Sequence, residues 1–259
     1  MSNLLDKASI VTTPTAYNNG KILSVKPTDG TGDFDFTRNS SATRVNSQGL
    51  IEDITSNLPR IGYTGGEGHW LFEPQSTNLV TYSEDFSQWN KSNASLINTI
   101  TSTVVSPNGV SYANKLYPIG AGSNAYIRQT IAGDCFSIFV KKGERKWILI
   151  YGGFANSNVW FDSENGVLGT IKPEATATVE SFGNDWYRIK ILWTQNSSEI
   201  RIYNTDSGTS TQSTGNGTDG LYIWGAQLEV QSFATSYIPT SGSTVTRLQD
   251  AAFGAGSSD

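Results

Sequence analysis

An all-β protein is what composition and punctuation predict for this chain, and three observations carry the prediction. Aromatic residues fill 11% of the 259 positions, with seven Trp, eleven Tyr and eleven Phe, whereas charged residues fill only 16%. Glycine occupies 26 positions, and Ser, Thr and Asn recur throughout. Short apolar runs with period-two alternation follow one another, separated by Asn-Gly, Asp-Gly and Gly-Gly steps. Aromatic and β-branched side chains suit a half-buried pleated surface, and Gly, Asn and Ser tolerate the backbone angles of turns. Leu, Ala, Glu and Lys are too sparse for long amphipathic helices. The aromatic content supplies a core, which excludes disorder. The length accommodates one large or two smaller β domains.

Taken in order, residues 1–32 read as an irregular leader. LLDKASIV allows one short helix or a strand, and Pro14, Asn18-Asn19-Gly20, Pro27 and Asp29-Gly30 then interrupt the chain repeatedly. Leu4, Leu5, Ile10 and Val11 lie outside any obvious core, which marks them as attachment or oligomerisation candidates; an N-terminal strand added to the main sheet is the competing reading. Residues 33–79 read as a smaller β-rich module. DFDFTR alternates around Phe34 and Phe36, and ATRVNSQGLIED has the pattern of a hairpin turning at Asn46–Gly49. The glycines before Trp70 predict tight backbone packing and no phosphate cradle, because neither a lysine nor a helix start follows.

Residues 80–240 read as a second β domain. Its expected strands are 125–131, 135–141, 146–151, 159–162, 177–181, 186–193, 199–203 and 221–230. KWILIY is apolar on both faces, which predicts a central strand. In WYRIKILW, Tyr187, Ile189, Ile191 and Trp193 share one face and Arg188 and Lys190 the other. Strands this short and this evenly punctuated predict a β-sandwich of jelly-roll type, preceded by the smaller β-rich attachment region. DSGTSTQSTGNGTD (206–219) reads as an exposed loop, and 241–259 as a frayed or docking tail.

Charge and residue counts exclude several functions. A net charge of −5 lacks the basic face that non-specific nucleic-acid binding requires. The single cysteine, Cys135, permits no internal disulfide and reads as a small buried hydrophobe. No zinc-type ligand set is present. MSNLLDKASIV lacks the basic and apolar regions of a secretory signal, and no apolar run reaches the roughly 18 residues of a membrane span. A soluble protein made in a bacterial cytoplasm is expected.

Two strings are distinctive. The first covers 36–89 and contains Arg38-x-Ser-x-Ala-Thr-x-Val45, Pro59-Arg60-x-x-Tyr63, Trp70-Leu-x-Glu73-Pro-x-x-Thr-Asn-Leu79 and Tyr82-Ser-x-x-Phe86-x-x-Trp89. The second, 221–240, contains Trp224-Gly-Ala-Gln-Leu-Glu229 and Tyr237-Ile-Pro-Thr240. From about Phe34 to Arg247 the chain resembles modules of tailed-bacteriophage virion proteins of the head spike fibre and tail-fibre type. That resemblance implies a virion surface protein synthesised in the host bacterial cytoplasm: a head fibre, decoration protein or tail-associated adhesin. It also implies contacts with capsid, tail or fibre-platform proteins and assembly as a dimer or trimer. The second domain is similar to the jelly rolls of carbohydrate-binding modules, sharing an opening Phe-x-x-Trp, a strand before Lys-Lys-Gly and a late Asp-Trp-Tyr-Arg.

Catalytic chemistry finds little support in the residues. The only histidine, His69, sits in a Gly–Trp setting that reads as a structural corner. No carboxylate spacing selects a glycosidase pair, and Glu73 and Glu229 read as acceptors that lock the fold. No enzyme and no cofactor is expected; a structural calcium on Asp33 and Asp35, or on Asp162 and Glu164, is the one metal alternative. Sugar binding is the better-supported chemistry, since sugars stack on exposed aromatic rings and bond to amides and carboxylates. Trp160, Tyr151 and Tyr203 are the candidate platforms, with Asn156, Asn158, Gln195 and Asn204 nearby in sequence. Trp160 is the platform expected to be exposed; Trp147, Trp186, Trp193 and Trp224 are assigned to the core. A host-surface glycan bound weakly and multivalently is the functional expectation. A fibre or capsid-cementing protein without ligand is the alternative, and a polysaccharide depolymerase the third.

Overall fold

The computed structural model describes residues 4–92, 97–122 and 125–255. The protein is all-β and divides into two compact units: residues 1–76 with 246–259, and residues 77–245. In chain order come α1 (Leu4–Lys7), β1 (Val11–Asn18), β2 (Lys21–Lys26), β3 (Phe34–Thr37), β4 (Ala42–Val45), β5 (Ile51–Ile54), β6 (Ile61–Gly62), β7 (His69–Trp70) and β8 (Ser76–Asn78). Next are β9 (Asn90–Lys91), β10 (Ile97–Val105), β11 (Tyr112–Pro118), β12 (Ala121–Gly122), β13 (Tyr126–Gln129), β14 (Cys135–Lys141), β15 (Trp147–Tyr151) and β16 (Val159–Asp162). The chain continues through β17 (Val167–Ile171), β18 (Ala175–Phe182), β19 (Trp186–Trp193), β20 (Ile200–Thr205), β21 (Ser213–Thr214) and β22 (Leu221–Glu229), and closes with β23 (Val245–Arg247) and β24 (Ala251–Phe253).

The first unit corrects the expectation of an irregular leader. β1 and β2 form a hairpin in the four-stranded sheet β1-β2-β3-β24. Its turn is Asn19-Gly20, both at positive φ (47° and 76°), the two-residue geometry that matches strand twist. Val11 starts β1 and pairs with Lys26, so it belongs to a strand, while Leu4, Leu5 and Ile10 are exposed (85%, 49% and 39%). The tail is corrected as well. Ala251–Phe253 pairs with β3 as an ordinary sheet strand, and residues 256–259 lie outside the described residues. The predicted hairpin at 42–54 is β4–β5, turned by Gly49 at positive φ while Asn46 Oδ1 accepts from the Gln48 and Leu50 amides at 3.0 Å each.

The same unit holds a buried ionic cluster. Arg38 donates to Asp250 at 2.9 Å, Arg60 to Glu73 at 3.0 Å and also to Asp250, and Arg247 lies 3.5 Å from Glu73. The three arginine side chains and Asp250 are 0–1% exposed. Charges buried so deeply persist only when paired and hydrogen-bonded, and each arginine here meets a carboxylate. The motif residues Arg38, Arg60 and Glu73 are therefore the interior of this unit.

The second unit is a sandwich of two antiparallel six-stranded sheets, ordered β10-β11-β22-β14-β19-β18 and β17-β16-β15-β20-β13-β9. Their inner faces share one core: Leu116, Phe136, Ile138, Val140, Ile189, Ile191, Trp193 and Ile223 from the first sheet meet Ile127, Ile148, Ile150, Phe161, Ile200 and Ile202 from the second. β15 lies between β16 and β20, the interior position its two apolar faces predicted. Strands β10, β11 and β17 were not expected; Thr, Asn and Lys hide the alternation of β10 and β11, and β17 is a five-residue strand with a glycine at its centre.

The Trp224–Glu229 motif has a structural account. Gly225 takes φ 64° at a bulge in the β14–β22 ladder, which lets Trp224 and Gln227 both face away from the main core. The following segment folds back over that face. Gln227 Oε1 accepts from the Ile238 amide at 2.7 Å, Glu229 accepts from the Thr235 amide at 3.1 Å, and Tyr237 packs on Trp224 with ring centroids 4.6 Å apart. Asn78 of the first motif donates to the carbonyls of Ala226 (3.1 Å) and Ile238 (2.8 Å) and accepts from the Leu228 amide. The end of the first string, from Asn78, and the second string thus form one hydrogen-bonded clasp within this unit.

Candidate functional site

The site is built on the outer face of the sheet β17-β16-β15-β20-β13-β9. Successive side chains on a strand point to opposite faces. With Ile148, Ile150, Ile200, Ile202 and Ile127 turned inward, Trp147, Leu149, Tyr151, Arg201, Tyr203, Tyr126 and Arg128 must turn outward. Cross-strand register gathers them: Tyr126 lies opposite Tyr203, Tyr203 opposite Leu149, Leu149 opposite Trp160, and Arg201 between Tyr151 and Arg128. Leu149, Trp160 and Tyr203 form a second apolar cluster, with Tyr126, Trp147 and Tyr151 packed against it.

The expected platforms are therefore brought together, but not as expected. Trp160 is buried, at 2% exposure, which corrects its role as the exposed platform. Its Nε1 donates to the Ser210 carbonyl at 2.9 Å, the Thr170 amide bonds to the Gly208 carbonyl, and Gly208 lies against the Trp147 ring. The segment 206–212, expected as a free loop, folds back over Trp147 and Trp160 instead. Polar composition did not reveal this, because the contacts use its carbonyls and glycine rather than side chains. Trp147 is consequently half-buried on the outer face and not in the core, with Lys146 over its ring at 5.7 Å. Tyr203, 5% exposed, forms the floor under Tyr126, with ring centroids 4.8 Å apart. Burial pushes the Tyr203 hydroxyl up to about 12, with Arg201 opposing.

Tyr151 and Tyr126 remain half-exposed, and between them lies Arg201. Its guanidinium carbon is 4.6 Å from the Tyr126 ring centre and 4.8 Å from that of Tyr151. Glu199 holds the guanidinium with one carboxylate oxygen, and with the other it accepts from Arg128 at 3.1 Å. Burial pulls the Arg201 pKa down, but hydrogen bonds to Glu199 and Tyr203, with the charge interactions of Tyr203 and Tyr126, together outweigh it and the net shift is upward. Burial likewise raises that of Glu199, and the two arginines overcome it, so the carboxylate is ionised well below neutrality. Arg128 and Tyr126 were missed in the sequence; the alternation Tyr126-Ile-Arg128-Gln was the signal that placed them on one face.

The remaining candidates scatter. Asn204 faces inward, fully buried, and accepts from Arg145, which removes it from the site. Asn156 stands exposed at positive φ (62°) in the turn after β15, and its carbonyl accepts from the Glu174 amide. Asn158 is half-buried beside β16, with its carbonyl bonded to Lys172, and Gln195 is exposed in the loop after β19. That loop adjoins the one after β15, because the Ser198 amide bonds to the Gly152 carbonyl at 3.2 Å.

The carboxylates of both calcium alternatives are engaged within the protein. Lys146 bridges Asp162 and Glu164 at 3.0 Å each, Asp35 pairs with Lys21 at 3.2 Å, and Asp33 accepts from the Ser24 amide at 2.7 Å. Among the described residues no cluster of three or more His, Cys, Asp or Glu is placed to hold a metal. A cavity of about 300 Å³ on the outer face of the other sheet is lined by Cys135, Thr178, Lys190, Leu192 and Phe233. Its one cation is already paired, Lys190 with Glu180 at 2.8 Å. Among the described residues no helix is long and apolar enough to cross a membrane. No protein-family model matches the chain, and no curated protein matches it.

Proposed function

We propose that this is a surface protein of a tailed-phage virion, a head fibre, decoration protein or tail-associated adhesin, whose unit 77–245 is a jelly roll presenting a glycan-binding face. The virion reading rests on the motif resemblance. The glycan reading rests on one observation: two half-exposed tyrosines, Tyr126 and Tyr151, flank a guanidinium on an outer sheet face away from the core. Ring edges, phenol hydroxyls and fixed donors are the groups that engage a sugar's apolar face and hydroxyl rim. A millimolar contact is worth only about 4 kcal/mol. Many copies on one particle multiply it into useful avidity. Capsid, tail or fibre-platform partners, a dimeric or trimeric state and a virion-surface location belong to the same proposal, with exposed Leu4, Leu5 and Ile10 as its attachment residues.

A glycan array with the recombinant protein tests this reading, run beside Tyr151→Ala. Binding that falls at least about tenfold in the variant, with an unchanged melting temperature, supports it. Binding equal in both proteins moves the site elsewhere, and none in either favours the second reading. That reading, a fibre or cementing protein without ligand, draws on the burial of Trp160 and Tyr203.

A further inference from the structure

Resting on the glycan-binding reading, we infer that the ligand of this face is anionic: a saccharide carrying a carboxylate or a phosphate, held by the guanidiniums of Arg128 and Arg201. Glu199 spends one oxygen on each arginine, binding Arg128 through Nη1 and Arg201 through Nη2. Arg128 is 41% exposed and, among the described residues, gives only that one donor. Arg201 also hydrogen-bonds Tyr203, and its Nε–H is shielded without an acceptor among the described residues. A guanidinium presents five donors in a planar fork that matches the paired oxygens of a carboxylate or phosphate. Here two guanidiniums are aligned by a shared carboxylate, and the exposed one, Arg128, keeps donors free.

Charge on the face points the same way. Two cations meet one anion at its open end, whereas at the covered end Asp162 is already bonded to Lys146. The chain as a whole carries −5. At physiological salt the Debye length is about 8 Å, so the local excess governs a bound group more than distant charges do. The rings of Tyr126 and Tyr151 give their faces to Arg201, so each offers a sugar mainly edge and hydroxyl. A neutral sugar therefore finds a poor stacking platform here. An acid finds a pre-oriented fork, stiffened by the rings on both sides.

The test titrates the full chain with polygalacturonate, with its carboxyl-reduced neutral counterpart and with poly(glycerol phosphate). The expected result is that at least one polyanion binds about tenfold or more tightly than the neutral polymer. Which polyanion wins tells carboxylate from phosphate. Arg128→Ala is expected to remove most of that preference at an unchanged melting temperature, and Arg128→Lys to restore only part, since it returns the charge without the fork. Equal affinity for the neutral polymer overturns the anionic ligand while leaving the glycan-binding reading in place. Polyanion binding unchanged in Arg128→Ala overturns the site. Binding to none of the three overturns both readings.

Discussion

Arg38 and Asp250 are 212 positions apart in the chain and 2.9 Å apart in space, with neither side chain exposed to solvent. The pair ties the closing strand region to the opening one. Asp250 also accepts from the Glu73 amide at 3.0 Å and from Arg60. Unit 77–245 is thus inserted in the sequence of a unit that takes Asp250 from beyond the insertion.

Asp250→Asn is expected to destabilise the discontinuous unit by about 3–5 kcal/mol, the usual result of leaving buried cations without their anion. Urea unfolding combined with limited proteolysis checks this. The variant should be cleaved within residues 1–76 at urea concentrations that leave 77–245 resistant. Wild-type resistance throughout would show that the ion cluster is not what holds this unit.

Trp160 and Tyr151 sit on one sheet face, yet they should answer differently to truncation. Trp160→Ala removes a buried ring and its bond to Ser210, at an expected stability loss of about 3–5 kcal/mol. Tyr151 is half-exposed, so Tyr151→Ala should cost under about 1.5 kcal/mol and act on ligand binding instead. Thermal melts of the two variants separate them, and equal losses would contradict the burial assigned to Trp160.

Burial pushes the Cys135 thiol from 9.0 up to about 12, with the Glu229 carboxylate adding to it. The unfolded thiol ionises near 9 while the native one stays protonated, so the unfolded state holds fewer protons as pH rises through this window. Stability contributed below pH 9 is therefore lost between 9 and 12. Tyr203, shifted from 10.0 to about 12, adds to the loss over the upper part of that range. Cys135→Ala should flatten the alkaline decline in denaturant midpoint, and wild-type Cys135 should react with a thiol reagent only on unfolding. Rapid labelling of the native protein would refute the assignment.

A Cβ at Gly208 would lie 2.6 Å from ring carbons of Trp147, closer than contact allows. Gly208→Val should lift segment 206–212 and uncover Trp160, at an expected stability loss of about 1–3 kcal/mol. Tryptophan emission should shift to the red and become more quenchable by acrylamide. Unchanged emission would mean that the segment does not shield the ring.

The all-β class, the central place of KWILIY, and most strands of the sandwich were legible because hydrophobic period and turn residues are local signals. Asn19-Gly20 carried the signal of the first hairpin too, but the polar strand Val11–Asn18 around it hid the pairing. The site was half legible. Alternation puts Tyr151, Tyr203 and Trp160 on strands, yet exposure depends on what crosses the outer face. The covering segment 206–212 makes its contacts through backbone carbonyls and a glycine, groups that every sequence shares.

By itself, then, the sequence determined that the chain builds antiparallel sheets, that its aromatic residues furnish the core, and that two motif strings matter to it. Only the tertiary structure decided that Asn78 locks the end of the first string to the second, that Asp250 completes a unit begun at the other end of the chain, and that Arg201 rather than Trp160 stands at the open aromatic face. Propensity and period act over a few residues. Burial of a charge, the facing of a side chain toward solvent and the pairing of residues 212 positions apart are set by packing between elements, which local pattern does not encode.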